Sequence, residues 1–213
     1  MNVSRFTVNP FGENTYVLWD EASREAAIVD PGVSNDRERE ALEAFIERER
    51  LLPVHLINTH MHIDHVLGNL WARDKYGLKV EANPADDFLG SALLAQARTF
   101  GMRVQVAPHC SETPLHHGDR IFVGKEPLDI IEVPGHSPGS ISLYAPESAF
   151  VITGDALFPG SIGRTDLAGG DHATLVGSIR SRLLTLPDDT AVLPGHGPET
   201  TIGHEKRTNP YLV

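Results

Sequence analysis

Six residues constrain this chain more than any other feature. His60-Met61-His62-Ile63-Asp64-His65 places four ligand-type side chains in one short stretch. The stretch follows a buried-type strand, Val54-His55-Leu56-Ile57-Asn58, and precedes a helical pattern over 66–76. That order predicts a tight loop at the C-terminal end of a strand, where α/β folds place their sites. His60 and His62, two residues apart in extended chain, can point to one side. Asp64 and His65, past the bend, are free to face a second point.

Three further pieces share a local grammar of apolar strand, glycine, ligand: Val133-Pro134-Gly135-His136, Val151-Ile152-Thr153-Gly154-Asp155 and Leu193-Pro194-Gly195-His196. Glycine lets the backbone turn sharply enough for the next side chain to reach a shared point. With the cluster, these pieces supply five histidines and two aspartates, too many for one ion. Two divalent metal ions divide them well. His60, His62 and His136 would hold the first, Asp64, His65 and His196 the second, and Asp155 would bridge. An all-nitrogen-and-oxygen set suits zinc best, with iron or manganese also compatible. A merely histidine-rich surface would need neither the aspartates nor the glycine-spaced strand ends. The remaining histidines, His55, His109, His116, His117, His172 and His204, read as surface or core residues, and of these only His204 lies near the site in sequence.

The elements around these motifs alternate. Short strands are predicted at 3–8, 15–20 and 25–30, the third ended by Asp30-Pro31-Gly32. A helix over 35–50 is capped by Ser34 or Asn35. A short strand at 78–82 precedes a helix running from Pro84, suited to the first helical position, to about Phe100. Strands follow at 120–123, 128–133, 140–145 and 149–153. Asp171 caps a helix carrying Leu175, Ile179, Leu183 and Leu186 on one side, and 191–194 is a last strand. Two mixed halves with outer helices predict two central sheets flanked by helix layers.

Bulk properties exclude several classes of function. The net charge of −11 disfavours nucleic-acid binding, which needs a basic surface. No apolar run approaches the roughly 20 residues of a membrane-spanning helix. The N-terminus leads into a strand pattern and not a signal peptide. The lone Cys110 cannot form an intrachain disulfide, which fits a reducing compartment. The expectation is a cytoplasmic protein acting on a small molecule, with no nucleic-acid or membrane partner.

With these residues in hand, the chain resembles the metallo-β-lactamase superfamily and, within it, the glyoxalase II-like hydrolases. Thr59-His60-Met61-His62-Ile63-Asp64-His65, then His136, Asp155 and His196, match the superfamily motifs in order and spacing. The match covers essentially the whole chain, implying one domain over 1–213. The resemblance implies an α/β fold, the four-layered αββα sandwich. Asp155 stands where some true β-lactamases carry a metal-binding cysteine, which implies the bridging-carboxylate hydrolases. Ile162-Gly163-Arg164-Thr165-Asp166, Gly169-Gly170-Asp171 and the stretch from Gly195 to Lys206 resemble the short bacterial branch. Familiar glyoxalase II proteins continue into a glutathione-binding helical domain, which is not expected in this chain.

The implied chemistry is hydrolysis of a small, anionic acyl-thioester such as S-lactoylglutathione. Water on such ions ionises near neutral pH, so hydroxide is available without a dedicated base. Asp64 and Asp155 are the catalytic carboxylates, Asp64 as a proton acceptor. Phe100 and Met102, with the helix at 84–100 and the loop after it, are candidates for a substrate wall. Arg164 is a candidate for a substrate carboxylate or for holding its own loop through Asp166. Lactone hydrolysis is an alternative, but some of the similar sites that open lactones use a tyrosine between the bridging aspartate and the last histidine. Tyr16, Tyr76, Tyr144 and Tyr211 all lie outside that interval. Persulfide oxygenation on a single iron is a further alternative.

Overall fold

The computed structural model describes residues 1–102 and 106–213. The first half runs β1 (Asn2–Val8), β2 (Glu13–Trp19), β3 (Glu25–Val29), α1 (Asp36–Arg48), β4 (Leu52–Ile57), α2 (Ile63–Val66), α3 (Asn69–Tyr76) and β5 (Val80–Ala82). A 3₁₀ turn at Pro84–Asp86 leads to α4 (Asp87–Ser91), α5 (Leu93–Thr99) and β6 (Thr113–Pro114). The second half runs β7 (Arg120–Val123), β8 (Glu126–Glu132), β9 (Ile141–Ala145), β10 (Phe150–Gly154), β11 (Leu157–Phe158) and β12 (Ser161–Ile162). It closes with α6 (His172–Ser178), a π-helical turn at Ile179–Leu183, β13 (Ala191–Pro194), β14 (Thr200–Thr201) and α7 (Ile202–Thr208).

Strand alternation builds the layers. One sheet has the order β1-β2-β3-β4-β5-β6 and the other β14-β13-β10-β9-β8-β7. Tyr16, Leu18, Ala27, Val29 and Ile57 turn one way and meet Leu128, Ile130, Leu143, Ile152 and Leu193 of the other sheet. Their sequence neighbours Val17, Ala26, Ile28 and Leu56 turn outward onto Leu42 and Ile46 of α1 and Ala72 of α3. Likewise Ile131, Val151 and Val192 face outward onto Leu175, Ile179, Leu183 and Ile202. A period of two thus buries both faces of the central strands of both sheets. The result is the expected helix-sheet-sheet-helix sandwich, a single domain.

Two predicted helices are broken, the first at Gly68 and the second at Ala92. The helix expected over 66–76 is α2 and α3, because Gly68 packs against the backbone of Pro31, where a Cβ would overlap it. Asp64 and His65 therefore already stand on a helical turn. The helix expected over 84–100 is a 3₁₀ turn followed by α4 and α5. Asn83 caps its start, accepting from Ala85 N–H at 3.0 Å. Gly90 abuts the His109 carbonyl too closely for any side chain. Residues 103–105 of the loop proposed as part of the substrate wall lie outside the described residues. Among the described residues, no helix is long and apolar enough to cross a membrane.

Candidate metal centre

The site forms along one edge where strand ends of both sheets meet. Backbone bonds stitch the sheets there: Asn14 N–H to the Gly195 carbonyl at 2.7 Å and Ile141 N–H to the Thr59 carbonyl at 2.8 Å. The loop after β4 carries His60 and His62, α2 carries Asp64 and His65, and the ends of β8, β10 and β13 lead to His136, Asp155 and His196. The glycines serve two different needs. Gly135 has φ +131 and its α-carbon lies against the backbone of Leu175, so it must turn where no side chain fits. Gly195 has no unusual φ and instead lets the chain pass directly beneath Asp155 and His65.

All seven side chains converge, in the two groups expected. His60, His62 and His136 form one cluster and Asp64, His65 and His196 another. In the first, His62 Nδ1 and His60 Nε2 lie 2.8 and 3.2 Å from His136 Nε2. In the second, His196 Nε2 and His65 Nε2 lie 3.2 and 3.9 Å from Asp64 Oδ2. Asp155 stands between them, Oδ1 3.4 Å from His65 Nε2 and Oδ2 3.6 Å from both His136 Nε2 and His196 Nε2.

Outer hydrogen bonds decide which ring nitrogens face inward. His136 Nδ1–H donates to the Arg164 carbonyl at 2.8 Å and His196 Nδ1–H to the Phe11 carbonyl at 3.2 Å. His65 Nδ1–H donates to Asp30 Oδ2 at 3.1 Å. Thr59 Oγ1 donates to the same oxygen at 2.6 Å, so it accepts from His60 Nδ1–H at 3.1 Å. Each of these rings therefore presents a bare Nε2 lone pair to the centre.

This arrangement fits metal ions on its own chemistry. The lone pairs of His60 and His136 face one another 3.2 Å apart, which neutral imidazoles tolerate only around an electrophile. A proton does not serve: burial pushes His62 down to about 3, and burial with the surrounding imidazoles holds His60 well below the usual histidine range. His65 Nε2 and Asp155 Oδ1 are buried without hydrogen-bond partners. Burial opposes charge on Asp155, but His65, His136 and His196 outweigh it and keep the carboxylate ionised. Burial also opposes charge on His65, where Asp155, Asp64 and Asp30 prevail and raise its pKa, so that a cation, whether proton or metal, is favoured at its Nε2. The His/Asp clusters are suited to binding metal ions.

The cluster opens into a cavity of about 190 Å³ lined by Phe11, Phe100, Arg164 and Leu167 as well as by His62, Asp64, His136, Asp155 and His196. Phe11 and Phe100 meet edge to face with ring centroids 5.4 Å apart. Arg164 reaches the cavity but spends its guanidinium on Asp166, with both bonds at 2.7 Å. The described residues lining the cavity do not include Met102, which packs against the buried cluster of Met61, Leu89 and Leu93. Its apolar chain follows α5 back onto the core.

Sequence reasoning missed three contributors. Asp30 reads as a turn residue before Pro31-Gly32, yet it sits at a strand end like the predicted ligands, and that shared position was the available signal. Glu13, fully buried with Oε1 3.9 Å from His65 Nδ1, gave none, since it lies inside a strand pattern. Phe11 gave none either, because a lone aromatic in a hairpin loop has many uses.

The sequence matches the Metallo-beta-lactamase superfamily over residues 8–196. It is 38% identical over 213 residues to hydroxyacylglutathione hydrolase GloC of Haemophilus influenzae, covering 100% of this chain and 98% of that protein. Among solved structures it is similar to the BLEG-1 B3 metallo-beta-lactamase, with TM-score 0.89, 37% identity and 100% of both chains covered. It is also similar to TTHA1623 in a di-iron-bound form, with TM-score 0.86, 38% identity and coverage of 98% and 100%.

Proposed function

Because the chain belongs to the metallo-beta-lactamase superfamily, we propose that this metal-dependent hydrolase holds two metal ions and cleaves small acyl-thioesters such as S-lactoylglutathione. The observation that carries the reading is Asp155, whose two oxygens face histidines of both groups at 3.4 and 3.6 Å. Two groups sharing one carboxylate support a pair of ions in preference to one. Zinc suits the imidazole and carboxylate set, with iron, present as a pair in the TTHA1623 structure, the alternative. Bound there, the ions would bring the pKa of a water toward neutrality and polarise a carbonyl.

The chain's own residues account for the rest. The Nδ1–H anchors at Asp30, Thr59, Phe11 and Arg164 hold four rings in the geometry that turns their lone pairs inward. Asp64 Oδ2, at the open side beside His196, is placed to take the proton that the attacking water gives up. The cavity is smaller than a typical site for a drug-sized molecule, so it admits the acyl and sulfur end and leaves the remainder outside. Phe11, Phe100 and Leu167 offer that end an apolar wall. The likeness to GloC supports the thioester, and the likeness to BLEG-1 makes a β-lactam the first competitor to exclude.

The test loads metal-free protein with zinc, iron or manganese and assays S-lactoylglutathione, short thioesters, lactones, a β-lactam and glutathione persulfide. Thioester turnover with two metals per chain is expected. Saturation at one metal, or oxygen uptake on the persulfide without thioesterase activity, would overturn the reading. Preferential β-lactam cleavage would reassign the substrate.

A further inference from the structure

We propose that Asp86 is the positioning residue of the three-imidazole group, setting the separation of the two loops that carry His60, His62 and His136 and thereby that group's affinity for its metal. The inference rests on the reading that this group holds a metal. The carboxyl group is fully buried and receives donors from both loops at once. Oδ2 accepts from the backbone N–H of Met61, between His60 and His62, at 3.2 Å. The same oxygen accepts from Ser137 Oγ, beside His136, at 2.6 Å, and Oδ1 accepts from Gly139 N–H at 2.6 Å.

The two loops arise from opposite sheets and are distant in sequence, so their spacing is not set within either strand. A carboxylate suits the position because three donors converge on it. An amide has one accepting oxygen and would aim its NH₂ at a donor already there. Gly139 completes the fit, since a Cβ at that residue would run into the Asp86 carboxyl. Ser137 Oγ, having donated to Asp86, accepts from Ser140 Oγ at 2.8 Å, and the Ser140 carbonyl takes the Val133 N–H at 2.7 Å. Asp86 thus holds the whole 136–140 turn as well as one histidine. The Asp64, His65 and His196 group is fastened elsewhere, through Asp30 and the Phe11 carbonyl. A defect at Asp86 should therefore be felt by one group and not the other.

Zinc titration against a competing chelator tests this without any activity measurement. In a His196→Ala background, which disables the second group, Asp86→Asn is expected to weaken zinc binding about 10- to 100-fold, the usual effect of removing an outer partner. In a His136→Ala background, which disables the first, the same substitution should change affinity less than about twofold. Ser137→Ala removes one of the three donors and should weaken only the first group, by about 3- to 10-fold. It also decides the matter should Asp86→Asn not fold. Equal losses in both backgrounds, or unchanged affinity in the His196→Ala background, would overturn the role of Asp86. Failure of the His196→Ala protein itself to bind zinc would instead overturn the reading of the three-imidazole group, and this inference with it.

Discussion

Replacing Asp30 by asparagine isolates what one buried carboxylate does for this fold. Asp30 is fully buried, and its Oδ1 accepts from Thr59 N–H at 2.7 Å. Oδ2 accepts from Thr59 Oγ1 at 2.6 Å and from His65 Nδ1 at 3.1 Å. Its backbone has φ 48, a conformation asparagine tolerates better than most residues, so the substitution adds little strain. In its better orientation the amide oxygen replaces Oδ2 and the NH₂ opposes Thr59 N–H. One bond to a charged acceptor is then lost and a buried donor is orphaned, costing about 1.5–3 kcal/mol. For a domain of this size that lowers Tm by roughly 3–12 °C. Calorimetry should use metal-free protein, since bound metal stabilises by mass action and would mask the change. Zinc titration of the Asp64, His65 and His196 group should show a parallel loss of about 10- to 100-fold, because His65 loses the charged acceptor that fixes its tautomer. A metal-free Tm within about 1 °C of the parent, with unchanged zinc affinity, would refute the assignment of these three hydrogen bonds.

Other substitutions test other parts of the site. Asp155→Asn keeps shape but removes the charge between the two groups, and is expected to lose at least one ion per chain and about 100-fold or more in rate; near-normal turnover with two metals bound would contradict the shared carboxylate. His55 hydrogen-bonds Glu81 at 2.8 Å and the Phe122 carbonyl at 3.0 Å, and the Glu81 bond raises its pKa. A raised folded-state pKa contributes stability that is complete below the unfolded value, about 6.5, and is lost as pH rises through the folded one. The Tm gap between parent and His55→Gln should therefore shrink from pH 5.5 to pH 8.5, about one unit below to two above that value, and a constant gap would argue against the pair. Phe100→Ala, which removes half of the aromatic wall, should raise KM for thioesters about 3- to 10-fold with kcat retained. Thioesters lacking the glutamyl arm should fall within about tenfold of S-lactoylglutathione in kcat/KM, under roughly 1.4 kcal/mol, because Arg164 is already paired with Asp166. A preference above about a hundredfold would reveal a dedicated glutathione site.

The sequence by itself determined what depends on neighbours along the chain. Strand alternation at Tyr16-Val17-Leu18 or Val151-Ile152 sorts side chains to two faces whatever the partner sheet. The order of elements suggested two sheets with outer helices, while the four-layered sandwich came from the family resemblance. The candidate ligand residues were legible because metal chemistry demands a narrow set of side chains, and the chain repeats one grammar of strand, glycine and ligand-type residue. What depends on groups meeting from distant segments was decided only by the tertiary structure. The helix expected over 66–76 breaks at Gly68, where Pro31 packs so closely that no side chain would fit, and the one expected over 84–100 breaks at Ala92. The role of Met102 turned on the same effect, since an apolar residue after a helix can face a cavity or the core and only packing chooses. Beyond the strand-end position of Asp30, Asp30 and Asp86 look in sequence like any other acids. Their work comes from donors brought to them by Thr59, His65, Met61, Ser137 and Gly139, and a hydrogen bond across the fold leaves no trace in the order of residues.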